Sequence, residues 1–135
     1  MDLSYIQDHW KNTMNADISA NIAAWDSVAE EYVYDASVNL YDNAFLRLLQ
    51  GKVPLNKSMS VLDVGCGAGA YGVALAEKVG TVVGTDFSPK MLETGRRYAA
   101  EQKISNIEFV ERDWWSCDGE MEADGLYYGK ITLGE

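Results

Sequence analysis

Between residues 17 and 34, apolar positions recur at three- and four-residue steps. Ile18, Ile22, Trp25, Ala29 and Tyr32 share one face of a predicted helix, and the opposite face is polar. A second stretch repeats the pattern through Val38, Tyr41, Phe45, Leu48 and Leu49, with Gly51 placed to close it as a C-cap. Past the turn-like Pro54-Leu55-Asn56-Lys57 the rhythm changes. Ser60-Val61-Leu62-Asp63-Val64 is short, β-branched and apolar, with glycines immediately behind it, which predicts a buried strand. Residues 70–78 then return to helical spacing through Val73, Ala74 and Ala76, ended by Gly80. Residues 81–85 predict a second buried strand. Ser88 followed by Pro89 supplies an N-cap and a first-turn proline for a helix through Met91, Leu92 and Tyr98 to about residue 102, and residues 107–110 predict a third strand.

Strands alternating with helix-length crossovers imply parallel strands joined by right-handed βαβ units. The expected class is α/β: a partial Rossmann-like parallel sheet of three to four strands (57–135) behind an N-terminal helical cap segment (1–56). The segment Gly125 to Leu133 is the candidate fourth strand.

The chemistry concentrates behind the first strand. Gly65, Gly67 and Gly69 occupy every second position of the loop, where glycine permits positive φ and lets a ligand approach the backbone. Asp86, about twenty positions after the first glycine and at the end of the next strand, is placed to accept both hydroxyls of a ribose. Gly65, Gly67 and Ala70 also satisfy the looser fingerprint of a nicotinamide dinucleotide site. Asp63 speaks against that alternative, because a carboxylate just before the loop repels a pyrophosphate and holds an ammonium group.

The net charge of −10 disfavours a nucleic-acid backbone or an anionic membrane surface as partner and suits a cationic ligand. Cys66 and Cys117 match neither a disulfide framework nor a zinc spacing, so no metal is expected and a reducing cytoplasm fits best. The acids Asp118, Glu120, Glu122 and Asp124 alternate as in a calcium loop, yet the twelfth position is Gly129, so a solvated acidic loop is expected. His9, the only histidine, stands near the N-terminus and carries no assigned role. No segment reaches the ~18 apolar residues of a membrane span, and none resembles a signal peptide.

VLDVGCGAGAYGVALA, VVGTDFSPKMLETGRRYA and IEFVERDWW resemble the first three motifs of class I S-adenosylmethionine-dependent methyltransferases, over about residues 58–115. AWDSVAEEY is similar to the helical cap that precedes the core in small-molecule members. The resemblance implies S-adenosylmethionine as cofactor and a sheet with its strands in the order 3-2-1-(4). It implies that Asp63, Gly65 and Gly67 line the methionine and ribose, with Cys66 counted among them as a small side chain of the loop. Asp86 would bind the ribose hydroxyls. Phe87 and Met91 would pack beside the adenine, Asp113 would accept from its amine, and Trp114 would lie next to it. Each has a structural alternative: an ordinary strand-to-helix turn for the loop, plain core for Phe87 and Met91, a surface ion pair for Asp113.

The expected activity is methyl transfer to a small-molecule acceptor, with no catalytic base identified and Trp10, Trp25 and Tyr32 as the visible acceptor-side candidates. The full family core has seven strands, so the chain is expected to be truncated after the cofactor-binding half, with an open edge on the first strand that invites homo-oligomers. The alternatives are a non-catalytic S-adenosylmethionine-binding module completed by a partner chain and, third, an NAD-binding fragment.

Overall fold

A computed structural model describes residues 18–36 and 44–113 of the 135-residue chain. Its elements run α1 (Ile18–Ala36), α2 (Ala44–Lys52), β1 (Ser60–Val64), α3 (Ala70–Ala76), β2 (Thr81–Asp86), α4 (Pro89–Glu101) and β3 (Ile107–Glu111). The three strands form one parallel sheet in the order β1-β2-β3, with Ser60 opposite Thr81 and Val82 opposite Ile107. This is the Rossmann-like arrangement expected, with strand 2 between strands 1 and 3. The candidate fourth strand at 125–133 lies outside the described residues, as do Trp10, Val38, Tyr41, Trp114, Cys117 and the acidic run from Asp118 to Asp124.

Two apolar clusters hold the layers together. One joins Leu46 of α2 to Val61, Val82 and the α3 residues Leu75 and Ala76, with Val79 just beyond the helix. The other joins Val73, Leu92, Tyr98, Ala99 and Phe109. Phe109 shows how closely the elements approach. A methyl group added at Gly69 would stand 2.5 Å from its ring, and one at Gly95 would stand 2.6 Å from it. Only hydrogen at these two positions lets the start of α3 and the middle of α4 close over the same β3 side chain, so both helices cover one face of the sheet.

Where the structure departs from expectation, the reason is local. Gly51 does not terminate the second helix, which runs on to Lys52; its surroundings are open and its φ is not positive, so it does not serve as a C-cap. The buried face of α2 is Phe45, Leu46 and Leu49, while Leu48 is 61% exposed. The apolar cluster in FLRLL fits two helical faces, and packing against Val61 and Leu75 selects the one carrying Leu46. On α1, Ala29 is buried, but Trp25 and Tyr32 are 43% and 44% exposed. Gly80 follows α3 by several residues, and a side chain there would strike the backbone carbonyl of Lys57. It serves the close approach of two segments of the backbone.

The far end of α4 closes in a Schellman pattern: Ile104 N–H donates to Ala99 O at 2.9 Å and Lys103 N–H to Ala100 O at 3.0 Å. Lys103 takes the left-handed position with φ 59°, where glycine is usual.

Candidate functional site

The C-terminal ends of β1 and β2 build the site. Cys66 N–H donates to Thr85 O at 2.9 Å, carrying the β1–β2 pairing two residues past the end of β1. The chain then turns through Gly65, Gly67 and Gly69 at φ 67°, 54° and 76°, a left-handed region that residues with a Cβ enter at a cost. Gly69 opens α3, whose Val73 N–H donates to Gly69 O at 2.8 Å. A side chain at Gly65 would meet nothing within 4 Å, so its backbone faces open space. One at Gly67 would lie 3.9 Å from both Met91 Sδ and the Tyr32 ring. The N-terminal helix therefore reaches the loop directly.

Asp86 is the hub of the site. Its Oδ2 accepts from Gly67 N–H and its Oδ1 from Ser88 N–H, each at 2.9 Å. Its carbonyl accepts from Arg112 N–H at 2.9 Å, which brings the chain leaving β3, and with it Asp113, beside the end of β2. A carboxylate offers about four acceptor positions. One backbone donor on each oxygen fixes its plane and leaves two acceptor positions besides.

Asp63 stands lower, 4% exposed, with Oδ2 facing the position a side chain on Gly72 would take, 3.3 Å away. The structure thus gathers Gly65, Gly67 and Asp86 at the strand ends, with Gly65 exposed and Asp86 buried at 8%, and sets Asp63 against α3. Cys66 points inward too, its Sγ 2.9 Å from where a side chain on Gly84 would begin. Burial pushes its thiol pKa up, and the Asp63 and Asp86 carboxylates push it further. The two carboxylates themselves make the loop's surroundings negative, suited to a cation and adverse to a pyrophosphate.

Met91 is 2% exposed and packs with Ala29 and Ala68 under the loop, and Phe87 is half-buried between Asp86 and Ser88. Two residues of the site were not singled out as ligand-side positions from sequence. Ser88 was legible only as a helix cap. Asp26, in the middle of α1, reads as one more solvated acid, yet its Oδ1 accepts from Ser88 Oγ at 2.5 Å. Nothing in the sequence links positions so far apart.

A family model described as a methyltransferase domain matches residues 55–125, more than half of the chain. The chain belongs to the methyltransferase-domain family. Among its relatives, the demethylmenaquinone methyltransferase of Shouchella clausii is 35% identical over 122 residues, covering 78% of this chain and 50% of that protein. The human tRNA (uracil-5-)-methyltransferase homolog A is 40% identical over 62 residues, 46% of this chain and 10% of that protein. The chain therefore spans half the length of the first and a tenth of the second.

A solved S-adenosylmethionine-dependent methyltransferase of Aquifex aeolicus is 25% identical with a TM-score of 0.54, over 65% of this chain and 47% of that one. The likeness to a methyltransferase of Thiobacillus denitrificans in complex with S-adenosylhomocysteine, at 24% identity and TM-score 0.51, covers 64% of this chain and 35% of the other and supports the same fold. Membership in the methyltransferase family sets aside the nicotinamide alternative. The relatives' names include both a quinone and tRNA, so the expectation that nucleic acid is excluded finds no support in them. Among the described residues no helix is long and apolar enough to cross a membrane.

Proposed function

We propose that the chain binds S-adenosylmethionine at the glycine loop and Asp86 and, as part of a methyltransferase, delivers its methyl group to a small-molecule acceptor. The observation that carries the donor site is the Asp86 carboxylate, fixed by Gly67 and Ser88 N–H groups beside the open backbone at Gly65. These residues fit the group. A nucleoside needs an acceptor for its paired hydroxyls, a backbone it can approach, and, for its positive sulfur, the negative charge of the nearby Asp63 and Asp86 carboxylates. Phe87 would cover one side of the adenine and Asp113 would accept from its amine. Asp63 would act through the field it adds beneath the loop. Met91 would support the adenine side from within the core.

When bound, the donor supplies an already activated methyl group. The chain's own residues then have to hold the donor still and keep water out, and positioning of this kind can supply ~7–11 kcal/mol of a barrier. Trp25 and Tyr32, edge to face at 5.8 Å between centroids and both exposed, stand on the helix that touches Gly67 and form the acceptor-side wall in this reading. A flat apolar acceptor suits such a wall. The small-molecule reading is also supported by the net charge of −10 and by the Shouchella match, whose 78% of the chain must extend into the N-terminal helical segment.

Calorimetric titration with S-adenosylhomocysteine tests the donor site. Binding is expected for the native chain, with at least about a tenfold loss in Asp86→Ala, the effect of removing a charged hydrogen-bond partner. Heat equal to buffer dilution from folded native protein would sink the reading. With methyl-tritiated donor, label is expected in a hydroquinone acceptor. Label appearing in unfractionated tRNA alone would overturn the small-molecule assignment.

A further inference from the structure

We infer that Asp26, on the N-terminal helix, is a positioning residue for the donor's ribose, acting through the segment Asp86-Phe87-Ser88; the inference rests on the donor site proposed above. That segment is tied from three directions. Gly67 N–H holds the Asp86 carboxylate and Arg112 N–H holds the Asp86 carbonyl, each at 2.9 Å. The third tie comes from α1: Asp26 Oδ1 accepts from Ser88 Oγ at 2.5 Å and from Lys90 N–H at 3.3 Å. Ser88 in turn donates its N–H to Asp86 Oδ1 at 2.9 Å. Asp26 therefore stands one residue removed from the ribose-binding carboxylate without reaching the ligand surface itself.

Capping accounts for only part of this arrangement, namely the Lys90 N–H of the first turn of α4 that Asp26 accepts. Ser88 already caps α4, its Oγ accepting from Met91 N–H at 3.1 Å. What Asp26 adds is a charged acceptor for the serine's single hydroxyl proton, a short and strong kind of hydrogen bond. With one proton given and one lone pair taken, Ser88 has a fixed rotamer, and its backbone N–H is held in the direction Asp86 needs. Orientation matters here because one carboxylate has to meet two neighbouring hydroxyls at once. A carboxylate that merely neutralised a charge would tolerate a tilt; a bidentate acceptor does not. Phe87 lies between the two tied residues, so the same anchor sets the adenine side. It also couples the site to α1, the helix that carries Trp25 and Tyr32.

The test compares S-adenosylhomocysteine with its 2′-deoxy analogue by calorimetry on the full chain. Asp26→Leu is expected to weaken S-adenosylhomocysteine about tenfold and the deoxy analogue less than about twofold, because only the former uses both hydroxyl contacts. Asp26→Asn keeps the Oδ1 acceptor and is expected to restore most of the affinity. On an Asp86→Ala background, Asp26→Leu is expected to add no further loss. Should Asp26→Leu fail to fold, Asp26→Ser, too short to reach Ser88, carries the same expectation. Native affinity in a folded Asp26 variant, or equal loss for both ligands, overturns the inference. Failure of the native chain to bind either ligand sinks the donor site itself, a distinguishable result.

Discussion

The two ends of the sheet use polar groups in opposite ways. Where β1 and β2 end, the polar groups are held beside an open backbone: Asp86, 8% exposed, is clamped by two backbone donors, and the bend beside it runs through three left-handed glycines. Where β2 and β3 begin, polar side chains are spent on the protein's own carbonyls. Asn106 Nδ2 donates to Ala76, Val79 and Gly80 carbonyls at 2.8, 3.2 and 3.0 Å, and Lys57 Nζ donates to those of Ala76 and Val79 at 3.3 and 3.1 Å. One end closes the exit of α3; the other opens the entrance. The lesson is that a helix running antiparallel to its strands presents donors at one end and acceptors at the other. The chain satisfies the acceptors itself, through Asn106 and Lys57.

Three substitutions probe this division, in falling order of effect. Phe109→Ala removes the ring that Gly69 and Gly95 enclose under the open end, and about 3–5 kcal/mol of stability is expected to go with it. Urea denaturation measures it, and a cost under about 1 kcal/mol would mean that the glycines are not there for the ring. Asn106→Ala strips the closed end of the two amide protons that serve three carbonyls. It is expected to cost about 1–3 kcal/mol while leaving S-adenosylhomocysteine affinity unchanged in protein that remains folded. If affinity fell in step, the two ends would not be independent. Lys103→Gly relieves the left-handed residue in the turn between α4 and β3, and a gain of up to about 1 kcal/mol is expected from thermal melts, with no change in ligand binding.

Much of this was legible in the residues. β1 falls on residues 60–64 as the apolar run predicts, and Ser88-Pro89 marks the start of α4. Buried parallel strands and capped helices announce themselves locally, because their causes lie within a few positions. The glycine loop and Asp86 were legible for the same reason, each being a strand end in a known spacing. What was not legible depends on partners distant in sequence. Gly95 reads as a weak point in a helix until Phe109 is seen against it. Asp26 reads as a surface acid until α1 is laid across the start of α4. Leu48 and Leu46 are equivalent by composition, and only the contact with β1 and α3 separates them.

The seat of Phe109 has a consequence for the order of assembly. The ring that fills the space behind Gly69 arrives from a strand encoded forty positions later, so the motif's residues are all present well before their final shape can be held. The shape of the glycine-rich tract thus depends on contact with β3. Amide hydrogens at positions 65–69 would gain protection together with those of β3, as one cooperative unit.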